Sequence, residues 1–245
     1  MEKFSADNFL DPGIKLSQPE NGYRFSFDPF ILAAHVKVAG KKKIIDIGSG
    51  CGIISLLLAF KYPDSKITGV EIQKELYLCA RKNIITNKLE NIINIIHGDI
   101  KDIQHLDING KVDIIVSNPP YKKRGSGRLN PGSQKAIARH EIFLDIDMLF
   151  KYSSRLLKEK GKLYLIFPAS RLSDLFTAMN NYYFTPGFTR FVHIKKKDPA
   201  KLIILSVVKN SSQPCIVHPP FYIYTDDNKF SNEYISIFSN CGQNV

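Results

Sequence analysis

The sequence predicts an α/β fold built on a mostly parallel sheet with helices on both faces. Short apolar runs alternate with helical patterns over residues 44–182, which is typical of strand-helix-strand units. A glycine-rich turn joins the first strand of that series to the first helix. Residues 188–194 and 201–208 are predicted to be two strands joined by a short loop, and therefore antiparallel neighbours. We expect a sheet of about seven strands that ends in this antiparallel hairpin.

Length and composition are those of one globular domain, with 245 residues of which 44% are hydrophobic. We expect a single domain with an N-terminal extension (1–40), a catalytic core (41–210) and a C-terminal appendage (211–245). No apolar run approaches the length of a membrane span, and the first residues do not show the pattern of a secretory signal. The expected compartment is the cytoplasm, without membrane association.

The charge indicates a polyanionic partner, and the cysteines argue against a metal site. A formal net charge of +11 and a pI near 9.4 favour nucleic acid, although a lysine-rich composition alone can produce both values. The four cysteines are scattered, with no Cys-x-x-Cys pair, so we expect free thiols and no zinc site or disulfide framework. The sequence leaves the oligomeric state open, with a monomer as the expectation.

The N-terminal extension is predicted to contain a hairpin and a helix. Residues 14–27 alternate around Asn21-Gly22, a strong turn dipeptide, so they are expected to pair as two strands. A helix is predicted to follow, with Asp28 as its N-cap and Pro29 in its first position.

The first strand of the core, which contains Asp46, leads into Gly48-Ser49-Gly50-Cys51-Gly52 and then into an apolar helix. Glycines in such a turn let the backbone approach a ligand, and the helix start offers free N–H groups. A dinucleotide fingerprint would have its third glycine one position later, at Ile53. The spacing instead resembles the S-adenosylmethionine loop of class I methyltransferases. The alternative is a tight turn that binds no ligand.

Acidic residues follow the next two predicted strands. Glu71 ends the second strand at the position where a ribose diol can be bound, although an acid there can also favour the start of a helix. Asp99 follows the third strand and can accept a hydrogen bond from an adenine amino group, or simply cap a turn. His97 and His105 are isolated and are interpreted as structural.

The motif Asn118-Pro119-Pro120-Tyr121 follows the fourth predicted strand, at the same edge of the sheet as the glycine turn. The prolines stiffen the backbone and remove N–H donors, which leaves the Asn118 side-chain oxygen and the Pro119 carbonyl as acceptors. Two acceptors would hold a planar NH2 group and direct its nitrogen at an electrophile, while Tyr121 stacks on a flat substrate. The alternative is an ordinary turn after a strand.

Two basic segments are candidates for substrate contact. The first follows Tyr121 in a long polar loop beside the predicted site, with Lys122, Lys123, Arg124 and Arg128. The second is the loop between the last two long strands, with Lys195, Lys196 and Lys197. Charge runs are more often solvated surface, so the position of each segment decides its interpretation.

Several stretches together resemble the bacterial tRNA1(Val) (adenine-N6)-methyltransferases over nearly the whole chain. They are Leu16-Ser17-Gln18, Tyr23-Arg24-Phe25-Ser26-Phe27-Asp28, the loop from Asp46 to Gly52, Asn118 to Tyr121, Ala138-Arg139-His140-Glu141, His218-Pro219-Pro220 and Tyr224. The resemblance implies the Rossmann-like class I methyltransferase sheet, S-adenosylmethionine as cofactor and methylation of the adenosine 3′ of the anticodon in tRNA(Val). It also implies that Asp28 lies near the methionine end of the cofactor. The loop after Tyr121 is lysine-rich and departs from the relatives, so the tRNA is less firmly implied than the reaction.

The expected mechanism is methyl transfer to adenine N6, with Asn118 and Pro119 holding the amine and Tyr121 and Phe27 sandwiching a flipped base. The cofactor residues expected are Asp28, Asp46, Gly48, Gly50, Gly52, Glu71, Asp99 and Asn118. One alternative is a glutamine N5-methyltransferase acting on a release factor, because a carboxamide fits the same acceptors; those enzymes carry a long helical domain ahead of the glycine loop. Another is a non-catalytic RNA-binding module on the same fold.

Overall fold

The computed structural model describes residues 13–18, 26–102, 108, 110–121 and 144–239. In these ranges the chain forms six α-helices: α1 (Asp28–His35), α2 (Ile53–Lys61), α3 (Lys74–Thr86), α4 (Ile146–Leu156), α5 (Leu172–Asn181) and α6 (Asn232–Ser239). The strands are β1 (Lys43–Ile47), β2 (Lys66–Glu71), β3 (Ile93–His97), β4 (Val112–Ser117), β5 (Leu157–Pro168), β6 (Phe184–His193), β7 (Ala200–Lys209), β8 (Ile216–Val217) and β9 (Phe221–Tyr222).

All nine strands belong to one sheet, in the order β3-β2-β1-β4-β5-β7-β6-β8, with β9 also paired to β6. Strands β1 to β5 are parallel, and β7 runs antiparallel to both β5 and β6. The predicted α/β fold with an antiparallel C-terminal hairpin is therefore confirmed. The count rises from about seven to nine because two strands of two residues each, in the segment 211–245, add to β6 in parallel. The division of the chain into 1–40, 41–210 and 211–245 stays a prediction.

The helices cover both faces of the sheet, as the sequence predicts for parallel strands. One apolar core joins the sheet to α1, α2, α3 and α6, and the other joins it to α4 and α5. The central strands are apolar in nearly every position because both of their faces are buried, and in β4 Ile114, Ile115 and Val116 are at most 5% exposed. The predicted helices 143–157, 170–182 and 232–238 are found to within a few residues.

The carboxyl ends of the strands define the edge of the sheet where the site lies. Strands β1 to β4 are parallel, so their carboxyl ends lie at the same edge of the sheet. The hairpin of β6 and β7 also turns at this edge, because Pro168 at the end of β5 pairs with Leu202 near the start of β7, which pairs with Val192 near the end of β6. The loop 194–199 therefore lies at the same edge as the ends of the parallel strands.

The predicted N-cap of α1 is corrected. The helix begins with Asp28 as its first residue, Phe27 occupies the cap position without a side-chain cap, and the Ser26 hydroxyl accepts a hydrogen bond from the Asp28 N–H at 3.4 Å. Asp28 Oδ2 instead lies 2.7 Å from the Tyr121 hydroxyl, so the carboxylate contacts a distant residue rather than the helix N–H groups. Residues 14–18 have no regular secondary structure, and the Asn21-Gly22 turn of the predicted hairpin lies outside the described residues.

No helix in the described ranges combines the length and the apolar composition needed to cross a membrane.

Candidate functional site

The glycine turn between β1 and α2 has a backbone that only glycine adopts without strain. Gly48, Gly50 and Gly52 have φ values of +71°, +57° and +80°. A Cβ at Gly52 would lie 3.2 Å from the Cβ of Ala80 in α3, so the turn also packs closely against that helix. A Cβ at Gly50 would meet nothing within 4 Å, which leaves the backbone open to a ligand on that side.

Glu71 at the end of β2 holds the glycine turn in place. Its Oε2 accepts a hydrogen bond from the Gly50 N–H at 2.9 Å, and its Oε1 accepts one from the Gln73 N–H at 2.8 Å. The residue is only 4% exposed, and this burial raises the pKa of its carboxyl group. Each oxygen retains a second lone pair, so the carboxylate can still accept hydrogen bonds from a diol.

Asp46 in β1 is fully buried beneath the glycine turn. Its Oδ2 accepts a hydrogen bond from the Ser55 hydroxyl at 2.8 Å, whereas its Oδ1 has no partner among the described residues. Removal of the carboxylate from water raises the pKa of Asp46 from 3.8 to about 7, with the nearby Glu71 adding to the rise. A buried acceptor without a partner at this edge fits a site that a ligand completes.

The raised pKa of Asp46 predicts a specific pH dependence of stability. A carboxyl group whose pKa is higher in the folded state stabilises the fold at low pH, and this contribution is lost as the pH rises through the folded value. Relative to Asp46→Asn, the wild-type free energy of unfolding should fall by about 1.4 kcal/mol per pH unit between about pH 4 and pH 7. Urea unfolding at several pH values measures this difference. Parallel pH profiles for the two proteins would contradict the assignment.

Asp99 follows β3 and fills the role of a turn cap. Its Oδ1 accepts a hydrogen bond from the Lys101 N–H at 2.9 Å, and the Lys101 ammonium lies 3.6 Å from Oδ2. Asp99 thus caps the turn that follows β3, which is one of the two roles that the sequence allowed. Binding of an adenine amino group by the same side chain stays a prediction.

The motif after β4 is joined to the glycine turn and to α1. The Ser117 hydroxyl donates to the Ile47 carbonyl at 2.9 Å, which ties the end of β4 to the end of β1. The Tyr121 hydroxyl lies 2.7 Å from Asn118 Oδ1 and 2.7 Å from Asp28 Oδ2. The structure therefore brings Asp28, which is 93 positions from Tyr121 in the sequence, together with Asn118 and Tyr121 beside the glycine turn.

The Tyr121 hydroxyl carries one proton but faces two acceptor oxygens. It donates to one of them, and the other contact requires a proton from the partner, as when the Asn118 amide turns its nitrogen toward the hydroxyl. In either arrangement the Tyr121 hydroxyl occupies the polar end of the Asn118 side chain. A substrate NH2 group that binds Asn118 Oδ1 must share this oxygen with the hydroxyl or displace it.

This geometry predicts different results for two substitutions of Tyr121. Tyr121→Phe keeps the ring and removes the competing hydroxyl, so kcat/KM for the flat substrate should stay within about 10-fold of wild type. Tyr121→Ala removes the ring and should lower kcat/KM about 10- to 100-fold through lost stacking. Steady-state kinetics at saturating cofactor measures both values. An equal loss in the two variants would show that the hydroxyl itself is needed for the reaction.

Arg171 is a site residue that the sequence analysis missed. Its Nη1 donates to the Tyr121 carbonyl at 3.1 Å, its Nε donates to Asp174 at 2.9 Å, and its guanidinium lies 4.7 Å from the centre of the Phe167 ring. These contacts fix the backbone that follows the two prolines. Its place at the carboxyl edge was predictable, because Arg171 closely follows β5, whereas its contact with Tyr121 was not.

Asn83 is a second missed residue, and it supports the glycine turn from α3. It is 1% exposed, and its Nδ2 donates to the carbonyls of Cys51 at 2.9 Å and Ser17 at 3.0 Å. Its Oδ1 accepts from the Ser17 N–H at 2.8 Å. An asparagine within an apolar helical pattern was the available signal.

The predicted substrate residues have different positions. Phe27 packs edge-on against Tyr234 and Phe238 of α6, with ring centres 5.6 Å and 6.1 Å apart, so its ring is engaged by the C-terminal appendage. The loop 194–199, which contains Lys195, Lys196 and Lys197, lies at the carboxyl edge with Lys196 and Lys197 exposed. The other predicted contacts, Lys122, Lys123, Arg124 and Arg128, lie outside the described residues, as does Ala138-Arg139-His140-Glu141.

The cysteines, His97 and the possible metal ligands are considered last. Within the described ranges no cluster of three or more His, Cys, Asp or Glu side chains could hold a metal ion. Cys51, Cys79 and Cys215 are free thiols, and Cys241 lies outside those ranges. His97 contacts the Ile72 carbonyl and stacks on Tyr77, in agreement with a structural role.

Comparison with known proteins identifies similar sequences. A family profile described as methyltransferase small domain matches residues 28–182. A Phocaeicola vulgatus protein named tRNA1(Val) (adenine(37)-N6)-methyltransferase is 31% identical over 210 residues, which cover 86% of this chain and 86% of the relative. A protein of the same name from Pedobacter heparinus is 27% identical over 223 residues, covering 90% and 91% of the two chains.

Solved structures share the fold at low sequence identity. A predicted O-methyltransferase from Agrobacterium tumefaciens superposes with a TM-score of 0.69 at 16% identity, covering 89% of this chain and 100% of that one. A methyltransferase from Pyrococcus furiosus superposes with a TM-score of 0.57 at 20% identity, covering 82% and 91%. These similarities establish a methyltransferase fold for the chain.

Proposed function

The chain belongs to the tRNA1(Val) (adenine-N6)-methyltransferase family, within the methyltransferase small domain proteins, and on this basis we propose that it methylates an adenine N6 amino group in tRNA. The methyl donor is S-adenosylmethionine. The target that we propose is the adenosine immediately 3′ of the anticodon of tRNA(Val), as the family resemblance implies.

The residues of the glycine turn fit the proposed cofactor. The open side of Gly50 admits a ligand against the backbone, and the Glu71 carboxylate stands at the end of the adjacent strand with lone pairs for the ribose hydroxyls. Asp46 Oδ1 is a buried acceptor that lacks a partner in the described structure. Asp28, Asp99 and Asn118 complete the proposed set, with Asp28 toward the methionine end and Asp99 toward the adenine. When bound, S-adenosylmethionine supplies a methyl group on a sulfonium centre.

The observation that carries the proposal is the position of Asn118. The Ser117–Ile47 hydrogen bond places it beside the glycine turn, and its side chain already holds a polar group, the Tyr121 hydroxyl, where a substrate amine would bind. Asn118 Oδ1 and the Pro119 carbonyl would accept the two N–H bonds of N6 and direct the nitrogen lone pair toward the methyl group. Pro120 keeps this rim rigid.

The reaction that follows needs little else from the protein. Bound S-adenosylmethionine would supply its methyl group to the N6 nitrogen and leave as S-adenosylhomocysteine, and the methylated nitrogen would lose a proton to solvent. No side-chain base is required, because a methylated adenine nitrogen with a positive charge is strongly acidic. Positioning by Asn118 and Pro119 and stacking by Tyr121 and Phe27 therefore supply the catalysis.

The basic residues of the chain provide the proposed contacts to the RNA backbone. Lys195, Lys196 and Lys197 lie at the carboxyl edge, and the segment with Lys122, Lys123, Arg124 and Arg128 follows Tyr121 directly in the sequence. Neutralisation of phosphates by these side chains would make binding weaken with increasing salt.

Transfer of a tritiated methyl group from labelled S-adenosylmethionine tests the proposal. Unmodified total tRNA and a release factor should be supplied in parallel reactions, with the Asn118→Ala variant as the inactive control. We expect label in the tRNA fraction alone. Label in the release factor alone would favour a glutamine N5-methyltransferase, and label in neither would favour a non-catalytic RNA-binding module.

A further inference from the structure

Three aromatic rings form a stacked column in the C-terminal appendage. Tyr224 stacks on Phe230 with ring centres 4.9 Å apart and planes 20° from parallel, and Phe230 stacks on Tyr234 at 4.8 Å and 18°. Tyr234 is fully buried, whereas Tyr224 and Phe230 are half-buried. The column thus begins at the surface and ends in the interior.

A tight turn fixes the outer part of this column. Tyr224 and Phe230 face each other across an antiparallel bridge, and the Thr225 N–H donates to the Lys229 carbonyl at 2.8 Å. Asn228 adopts the left-handed conformation, with φ +60°, and closes the turn through its N–H to the Thr225 carbonyl. The backbone that carries the outer ring is therefore fixed by hydrogen bonds within the turn.

The column connects the catalytic residues with the lysine loop. At its inner end Tyr234 meets Phe27 edge-on at 5.6 Å, and Phe27 directly precedes Asp28, which contacts the Tyr121 hydroxyl. At its outer end the Tyr224 N–H donates to the carbonyl of Ile194 at 2.9 Å, one residue before Lys195. An accessible aromatic ring and three consecutive lysines therefore share the carboxyl edge with the proposed site.

An aromatic ring beside flexible cations is the chemistry that binds single-stranded nucleic acid, through base stacking and phosphate neutralisation. We propose that a nucleotide next to the target adenosine stacks on Tyr224 while its phosphates face Lys195, Lys196 and Lys197. This inference rests on the proposed function, because it assigns the second contact of the same RNA substrate. When the target base leaves its loop, the neighbouring base loses a stacking partner, and the Tyr224 ring replaces that partner.

The charges on the two sides of Tyr224 determine on which side of this residue the RNA backbone passes. The loop 194–199 contains three lysines and one aspartate, whereas the turn between Tyr224 and Phe230 contains Asp226, Asp227 and one lysine. The acidic turn repels phosphates, so the RNA backbone passes on the side of the lysine loop.

Binding of RNA can be measured separately from methylation. A fluorescently labelled, unmodified anticodon stem-loop of tRNA(Val) is titrated with the full chain, and fluorescence anisotropy gives Kd. We expect Tyr224→Ala to raise Kd about 10- to 100-fold and Tyr224→Phe to keep it near the wild-type value, because phenylalanine retains the ring. Tyr183→Ala is the matched control, since Tyr183 is 75% exposed and precedes β6 at the opposite edge of the sheet.

A second variant tests the proposal even if Tyr224→Ala is destabilised. The double variant Lys196→Ala/Lys197→Ala changes two exposed side chains only, and it should raise Kd and reduce the dependence of binding on salt. If Tyr224→Ala unfolds at a lower temperature than wild type, this double variant and the Tyr224→Phe comparison decide the result. Wild-type Kd for the folded Tyr224→Ala protein, or for the double variant, would overturn the proposal.

The same experiment separates this proposal from the reaction itself. Ring-dependent binding of the stem-loop without methylation of any tRNA would count against the proposed reaction and support the surface. Normal methylation by wild type, with KM unchanged in Tyr224→Ala, would support the reaction and overturn the surface.

Discussion

Replacement of Asn118 by alanine is expected to lower kcat for methyl transfer at least about 100-fold while S-adenosylmethionine still binds. The variant loses the side-chain oxygen that accepts from N6, and the amine is then no longer directed at the methyl group. The glycine turn and Glu71 are unchanged and only the contact proposed for Asn118 is lost, so Kd for the cofactor should rise no more than about 10-fold. Single-turnover kinetics and calorimetric titration of the cofactor measure the two quantities.

Tyr121→Phe provides the matched control for this prediction. Asn118→Ala also removes the contact with the Tyr121 hydroxyl, and Tyr121→Phe removes that same contact while it leaves the Asn118 acceptor in place. Loss of activity in Asn118→Ala alone would assign the effect to the acceptor. An active Asn118→Ala enzyme would remove Asn118 from the mechanism.

Replacement of Glu71 by alanine is expected to raise Kd for S-adenosylmethionine about 10- to 100-fold, with kcat at saturating cofactor largely retained. The substitution removes the acceptor of the proposed ribose hydrogen bonds. It also leaves the Gly50 and Gln73 N–H groups without their 2.9 Å and 2.8 Å partners, so the glycine turn loses its fixed position. The effect should therefore appear in cofactor binding rather than in RNA binding.

Glu75→Ala is the control for charge alone. Glu75 lies in the first turn of α3, close in sequence to Glu71, and it is exposed. Its removal changes the net charge by the same amount without touching the glycine turn, so Kd for the cofactor should not change. Equal effects of the two substitutions would contradict a specific role for Glu71.

Much of the site could be predicted from the sequence because its residues follow strand ends. Gly48, Glu71, Asp99 and Asn118 each come directly or almost directly after an apolar run, and parallel strands bring such positions to one edge of the sheet. Local patterns therefore sufficed to place them together. The functional roles of these residues stay predictions that the variants above test.

Contacts between distant parts of the chain could not be predicted. Asp28 resembles an N-cap in the sequence, but its carboxylate contacts Tyr121, 93 positions away. Arg171 reaches the Tyr121 carbonyl only because the chain returns to the same edge after β5. The strands β8 and β9 have two residues each, which is too short for a periodic pattern to indicate.

Nucleoside mass spectrometry identifies the acceptor atom, which we propose is the N6 nitrogen of an adenine in tRNA. Unmodified tRNA(Val) is incubated with the wild-type protein and S-adenosylmethionine, digested to nucleosides and compared with the product of the Asn118→Ala variant. The proposed function predicts N6-methyladenosine from the wild type, located immediately 3′ of the anticodon in the fragment map, and none from the variant. A different methylated nucleoside, or unmodified tRNA alongside methylated glutamine in a release factor, would contradict it.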